Sequence, residues 1–125
     1  MNVVDSSGWL EYFADGPNAD FFATPIEAST ELLVPTVSLY EVFKRVLQQR
    51  GDNAALQSMA LMQQGTVIEL TSTLALQAAR VSLHERLPMA DSMILATTQA
   101  YGATLWSQDS DFKHIAGVKY VAKKG

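Results

Sequence analysis

Residues 88–107, PMADSMILATTQAYGATLWS, are the segment that indicates the fold class of this chain most clearly. Its pattern predicts a helix from about Met89 to Tyr101 that ends at Gly102, followed by a short apolar strand at 104–106. The helix is apolar almost all round and should therefore be buried, with Asp91 as a polar exception in its first turn. A buried helix that leads through a short connection into an apolar strand is typical of an α/β protein with a parallel sheet.

The rest of the chain continues this alternation of short apolar strands and helices. Further strands are predicted at 3–4, 32–34, 66–70 and 118–121, and further helices at 6–13, 18–28, 38–49, 52–64 and 71–87. In the helix at 71–87, the stripe expected to face the core is Leu76, Ala79, Leu83 and Leu87. The predicted fold is a three-layer α/β/α sandwich with a central parallel sheet of about four to five strands.

Composition limits the class of protein. With 125 residues, 13.7 kDa and 48% hydrophobic residues, the chain fits one domain over residues 1–125 with a single core. It has no Cys and two His, so neither a disulfide framework nor a thiolate zinc site is expected. No window approaches the roughly 20 apolar residues of a membrane span. The first residues lack the basic region of a signal peptide and are followed at once by Asp5, so no signal peptide is expected. We expect a soluble cytoplasmic protein.

The charges are distributed unevenly along the chain. The formal net charge of −4 at first argues against a nucleic-acid partner, because such proteins are usually basic. However, residues 1–41 contain seven acids and no Lys or Arg, whereas residues 42–125 contain nine bases and six acids, a net charge of +3. The position of each acid is therefore more informative than the total.

Five acids follow strands or begin helices at the same predicted edge of the sheet. In parallel sheets, ligand sites form beyond the carboxyl ends of the strands. Asp5 directly follows the first strand, and Asp109 and Asp111 follow the strand at 104–106. Glu41 and Asp91 lie in the first turns of predicted helices that start at that edge. Although these carboxylates are far apart in sequence, they can converge on one site.

A divalent cation would explain such a convergence. Several carboxylates without compensating bases cannot all stay ionised within a few ångströms of each other. Oxygen ligands without Cys or His favour Mg²⁺ or Mn²⁺ over zinc. A site of this kind suits hydrolysis of a phosphodiester bond, because the metal lowers the pKa of a bound water and stabilises the developing charge.

Structural roles could also account for each acid taken alone. Ser38 and Glu41 match the S-x-x-E capping box, so Glu41 could cap its own helix. Asp91 could favour the positive end of the helix dipole. The other three acids could be ordinary turn or loop residues. It is their joint placement at one edge that favours a functional site.

Four segments of the chain carry a resemblance to a known family. These are VVDSS at 3–7, VPTVSLYEV at 34–42, LPMADSMILAT at 87–97 and LWSQDSDF at 105–112. In this order and over nearly the whole chain, they resemble the motifs of PIN-domain ribonucleases, in particular the VapC-type toxins of bacterial toxin–antitoxin systems. The third segment is similar to the family pattern L-P-x-x-D-A-x-I-A-A-T, and the fourth to L-x-T-x-D-x-D-F.

The resemblance implies a metal-dependent endoribonuclease that uses Mg²⁺ or Mn²⁺ and is inhibited by a cognate antitoxin. The implied catalytic and metal-binding quartet is Asp5, Glu41, Asp91 and Asp109. Asp111 is either a further metal ligand or a structural residue before Phe112. Ser7 and Ser107 occupy positions where the family has hydroxyl groups beside the acids. The resemblance also implies a homodimer.

Several bases are candidates for contacts with RNA phosphates, which need cations. Lys44 and Arg45 follow Glu41 by three and four residues, so they could bind RNA or form ion pairs with Glu41. Other bases could form a basic rim or simply a solvated helix face: Arg80, His84 and Arg86. Three other bases are expected to belong to a frayed, solvent-exposed C-terminal end: Lys119, Lys123 and Lys124.

Two alternative functions remain at this point. One is a phosphatase or phosphotransferase on a doubly wound sheet, but such enzymes need a second acid beside the first-strand Asp and a Lys after a late strand. Here Asp5 is followed by two serines, and acids follow the strand at 104–106. The other alternative is a non-catalytic PIN-like binding module. Loss of a quartet acid would favour that interpretation, and all four acids are present.

Overall fold

A computed structural model describes residues 1–124, which form a five-stranded sheet with six α-helices. The strands are β1 (Asn2–Val4), β2 (Leu32–Pro35), β3 (Thr66–Ile68), β4 (Thr104–Ser107) and β5 (Val118–Tyr120). The helices are α1 (Ser6–Phe13), α2 (Ala19–Glu27), α3 (Thr36–Arg50), α4 (Asp52–Met62), α5 (Ser72–Glu85) and α6 (Met89–Ala100). Short 3₁₀ turns lie at Ser29–Glu31 and Ser110–Phe112.

All neighbouring strands are parallel, in the order β3-β2-β1-β4-β5. Val3 of β1 is in register with Leu33 of β2 on one side and with Leu105 of β4 on the other. This central position of β1 and β4 brings the residues that follow them together at one edge of the sheet. The predicted three-layer α/β/α sandwich with a parallel sheet is confirmed.

Two hydrophobic cores lie on opposite faces of the sheet, because successive side chains of a strand point to opposite faces. Val4 packs in one core with Trp9 and Phe22 from the first two helices. Val3 packs in the other core with Ile94 and further residues of α6. Burying each large apolar side chain contributes roughly 1.5–3 kcal/mol, so the α6 sequence is a main determinant of the second core.

Of the predicted apolar stripe, Leu87 is buried, but the three residues within α5 are exposed. Leu76 and Leu83 are 70% and 86% exposed, whereas Leu74 and Ala78 are buried and α5 packs on α6. The α5 sequence carries two apolar stripes with helical spacing, so periodicity alone could not distinguish them. The small side chain of Ala78 lies on the face that packs, where it allows close approach of the two helices.

The starts of α3 and α1 both contribute to the site, and the start of α3 differs from the prediction. Helix α3 begins at Thr36 with Pro35 as its N-cap, so Ser38 lies inside the helix, buried. The proposed Ser38–Glu41 capping box is therefore wrong, and Glu41 lies in the second turn rather than the first. Helix α1 is capped by Asp5, which accepts a hydrogen bond from the backbone N–H of Gly8.

No helix within residues 1–124 combines the length and the apolar character that a bilayer span requires.

Candidate metal centre

The five acids predicted to converge do lie around one edge of the sheet, and we call them the acid cluster: Asp5, Glu41, Asp91, Asp109 and Asp111. Val4 and Trp106 are partners across β1 and β4, and the Asp5 N–H donates to the Trp106 carbonyl at 3.1 Å. The residues after both strands are thereby held side by side. Helix α6 starts at the same edge with Asp91 in its first turn.

Asp5 is buried, and its carboxylate accepts hydrogen bonds from three donors of the protein. The Ser107 hydroxyl donates to its Oδ2 at 2.6 Å, and the Gly8 N–H donates to its Oδ1 at 2.9 Å. The Ser7 hydroxyl lies 2.9 and 3.0 Å from the two oxygens. Burial raises the pKa of Asp5 to about 6; the hydrogen bonds oppose that shift, and the charge of Asp109 adds to it.

Asp91, Asp109 and Asp111 each offer a carboxylate oxygen, and these oxygens lie within 4.8 Å of one another. The Asp111 N–H donates to Asp109 Oδ1 at 2.9 Å, which orients that carboxylate. The Ser107 hydroxyl also accepts from the Asp109 N–H at 2.9 Å. Ser107 therefore joins Asp5 to the Asp109 loop, and the two hydroxyls predicted beside the acids, Ser7 and Ser107, both contact Asp5.

Asp91 is the acid whose charge is least compensated. Its pKa is raised to about 7 by burial and then by the charges of Asp109, Asp5, Glu41 and Asp111. Among residues 1–124, no hydrogen-bond donor to its carboxylate is found. The only ion pair within 4.0 Å in that part of the chain joins His84 to Glu85, neither of which belongs to the acid cluster. The acid cluster thus lacks a protein cation.

Glu41 has a partner that the sequence analysis missed. The Ser6 hydroxyl donates to Glu41 Oε1 at 2.6 Å, which ties the first turn of α1 to α3. The sequence offered a clue, because Ser6 and Ser7 both follow Asp5 at the end of β1. However, only the packing of α1 on α3 shows that Ser6 donates to Glu41 while Ser7 donates to Asp5.

The ion pairs considered for Lys44 and Arg45 with Glu41 are not found in the described residues, within 4.0 Å. Lys44 Nζ instead lies 5.6 Å from the centre of the Tyr40 ring. Arg45 lines a cavity with Ser7. Of these two candidates for RNA contacts, Arg45 is therefore the one that the fold places beside residues of the site.

The C-terminal lysines are not simply a solvated end. Lys119 Nζ lies 4.5 Å from the centre of the Trp106 ring, and Lys123 lines two cavities with Ser7 and Gln108. The carbonyl of Ala122 accepts a hydrogen bond from Asn18 Nδ2 at 3.1 Å, which anchors this segment. Sequence reasoning missed these contacts because they depend on where β5 sits at the sheet edge.

The bases of α5 are separate from the acid cluster. Arg80 and His84 line a cavity with Val81, Glu85 and Gln99 that contains none of the five acids. Of the two interpretations of this face, the solvated helix face agrees better with the structure.

The residues present fit a divalent cation. Every candidate ligand is a carboxylate oxygen, which is the ligand type preferred by Mg²⁺ and Mn²⁺. Three of the carboxylates reach within 4.8 Å of one another, and the pKa of Asp91 is raised by burial and then by the charges of the other four acids. A cation would offset the repulsion that contributes to this raised pKa.

Comparisons with solved structures show the same fold in several bacterial proteins. A toxin–antitoxin complex from Klebsiella pneumoniae matches with a TM-score of 0.80 and 18% identity, covering 95% of this chain and 96% of that chain. VapC20 from Mycobacterium tuberculosis, described as a toxin that cleaves the sarcin–ricin loop, matches with 0.79 and 19%, covering 94% and 97%. VapBC2 from Rickettsia felis, bound to promoter DNA, matches with 0.73 and 12%, covering 97% of each.

Comparison with curated protein sequences finds no match. A family model does match: the PIN domain, over residues 3–118. The likeness to VapC-type toxins predicted from the four sequence segments is confirmed in the fold. Since the match spans nearly the whole chain, this protein belongs to the PIN domain family.

Proposed function

We propose that this protein is an endoribonuclease of the toxin class, which hydrolyses RNA phosphodiester bonds at the acid cluster with the help of a divalent cation. The observation that carries the proposal is Asp91, partly buried beside four other carboxylates without a protein cation in the described residues. Membership of the PIN family and the likeness to an RNA-cleaving toxin support RNA as the substrate.

The residues proposed to hold the cation, Mg²⁺ or Mn²⁺, are Asp5, Glu41, Asp91 and Asp109, with Asp111 as a further ligand. When bound, such a cation lowers the pKa of a water molecule and offsets the charge of the phosphate. The chain itself orients the ligands: Ser7 and Ser107 hold Asp5. These hydrogen bonds stabilise the carboxylate geometry before substrate arrives, which is the usual role of groups behind metal ligands.

The proposed partners are a cognate antitoxin and a second copy of the chain. Structures of similar fold include toxin–antitoxin complexes, which supports an antitoxin that inhibits the nuclease. The exposed Leu76 and Leu83 on α5 offer an apolar surface for a homodimer. A nuclease of this kind would meet its RNA in the cytoplasm.

The test compares cleavage of total RNA by the wild-type protein in Mg²⁺ and in EDTA, and by the Asp91→Asn variant in Mg²⁺. Asparagine keeps the size of the side chain but removes its charge. We expect cleavage in Mg²⁺ alone, and a loss of roughly a thousandfold in rate for the variant. The matched control is Asp52→Asn, which changes an exposed acid at the start of α4.

Unfolding curves of both variants show whether the fold is retained. Cleavage that persists in EDTA, or that Asp91→Asn leaves at the wild-type rate, would contradict the proposed metal site.

A further inference from the structure

A cavity of about 260 Å³ lies between α1 and α3, beside the acid cluster. We call it the basic cavity because three cationic side chains line it: Arg45, Arg50 and Lys123. Its apolar wall is formed by Leu10, Phe13, Ala14 and Val46. The cavity therefore combines an apolar surface with a group of cations, which is the combination that a nucleotide requires from a protein.

The cations of the basic cavity have no carboxylate partner within 4.0 Å in residues 1–124. The one acid in the lining, Glu11, accepts hydrogen bonds from two neutral donors of the protein. Its Oε2 accepts from the Asn18 N–H at 2.7 Å, and its Oε1 accepts from Gln108 Nε2 at 3.3 Å. The basic cavity is thus complementary to an anion from outside the chain.

The basic cavity adjoins the acid cluster. A second cavity of about 420 Å³ is lined by Asp109 and Ser110, and it shares Ser7, Gln108 and Lys123 with the basic cavity. Ser7 also donates its hydroxyl to Asp5. Two neighbouring cavities with shared walls therefore lie between Asp109 and the cations Arg45 and Arg50.

We propose that the basic cavity binds a nucleotide of the RNA next to the bond that is cleaved. Arg45, Arg50 and Lys123 contact the phosphates of this nucleotide and of its neighbours, and the apolar wall accepts its base or ribose. This inference rests on the proposed function and adds to it a binding subsite with two residues outside the predicted RNA contacts, Arg50 and Lys123. An antitoxin segment is the competing occupant, but the three unpaired cations favour a polyanion.

The test measures binding of a fluorescent pool of random-sequence single-stranded octaribonucleotides in EDTA, where binding does not depend on cleavage. The Arg50→Gln/Lys123→Gln variant should bind about tenfold more weakly than the wild type. Its slope of log K against log[salt] should be smaller by about 1.4, because each lost single-strand phosphate contact removes about 0.7. The matched control, Arg80→Gln/Lys124→Gln, removes the same charge outside the basic cavity and should bind within twofold of the wild type.

A second variant tests the apolar wall without changing charge. Ala14→Phe fills part of the basic cavity from the exposed end of α1 and should weaken binding of the pool several-fold with an unchanged salt slope. In Mg²⁺, both cavity variants should raise KM for RNA while kcat stays near the wild-type value.

The outcomes separate this inference from the proposed function. Asp91→Asn should bind the pool as the wild type does but fail to cleave. If the wild type cleaves RNA and Arg50→Gln/Lys123→Gln leaves affinity and salt slope unchanged, the subsite is wrong and the nuclease stands. If that variant keeps its RNA affinity but loses a co-purifying protein, the basic cavity belongs to a protein partner. If the wild type binds RNA in EDTA but never cleaves it, the proposed nuclease is wrong.

Discussion

The acid cluster and the basic cavity lie side by side, share Ser7 in their surroundings, and keep their opposite charges apart. Asp5, Glu41 and Asp109 accept short hydrogen bonds and are at least partly buried, whereas Arg45, Arg50 and Lys123 are long, exposed side chains. Exposed ion pairs add only about 0–1 kcal/mol of stability, so folding alone gives little reason for these charges to pair. In the proposed function, each group binds a ligand of the opposite charge, a cation in one region and a polyanion in the other.

The largest expected effect comes from removing a charge at the centre of the acid cluster. Asp5→Asn keeps the N-cap of α1 but removes a proposed metal ligand, so RNA cleavage should fall roughly a thousandfold. Asp5→Ala should lose activity to a similar degree and, in addition, about 1 kcal/mol of stability through loss of the cap. Cleavage rates and urea unfolding of both variants, in EDTA, separate the two roles.

If Asp5→Asn cleaved RNA at the wild-type rate, Asp5 would be only a helix cap. The metal site would then not include Asp5, which is the acid that Ser7 links to the basic cavity.

A smaller effect is expected from the group that joins two of the acids. Ser107→Ala removes the hydroxyl that donates to Asp5 and accepts from the Asp109 N–H, while every carboxylate remains. Activity or metal affinity should fall about 10–100-fold, as for other groups that orient metal ligands. Isothermal titration with Mg²⁺ and cleavage rates measure this change. Ser58→Ala, a buried serine of α4, is the control, and equal losses in both variants would indicate a general packing defect.

The pH dependence of stability tests the electrostatics of the acid cluster without RNA. Because the pKa values of Asp91 and Asp5 are raised to about 7 and about 6, the folded protein binds more protons than the unfolded chain above about pH 4. In EDTA, the free energy of unfolding should therefore fall as the pH rises from about 4 to about 7. Asp91→Asn should reduce that fall by about 1–2 kcal/mol.

Urea unfolding at pH 5 and pH 8 measures this effect, and Mg²⁺ should stabilise the wild type more at pH 8 than at pH 5. A wild-type protein whose stability in EDTA rises over this interval would contradict the proposed repulsion. The Arg50→Gln/Lys123→Gln variant should keep the wild-type dependence, since the cations of the basic cavity do not contact the acid cluster.

The smallest effect on either region is expected from the exposed leucines of α5. Leu76→Gln/Leu83→Gln should leave the cleavage rate within about twofold of the wild type, because the side chains are 70% and 86% exposed. If this face forms the proposed homodimer, the variant should dissociate at higher protein concentration in sedimentation experiments. An unchanged oligomeric state would place any dimer interface elsewhere.

Much of the acid cluster could be predicted from the sequence because strand ends carry positional meaning in a parallel sheet. Asp5 directly follows β1, Asp109 lies two residues after the end of β4, and those strands pair. Asp91 stands in an apolar helix with almost no polar face of its own. Glu41 was placed correctly in the site, although the helix that carries it begins two residues earlier than expected.

Local spacing and side-chain type were enough to predict the strand–helix alternation, the burial of α6 and the acids at the carboxyl edge of the sheet. Three features became visible only in the folded structure: the stripe of α5 that packs, the hydrogen bond from Ser6 to Glu41, and the cavity that Arg50 and Lys123 line with Ser7. The physical reason is that these contacts join segments far apart in sequence through helix packing and sheet order. The local sequence pattern does not show which segments come together in space. An exposed Lys or Arg near the site therefore cannot be distinguished by sequence from one that lies far from it.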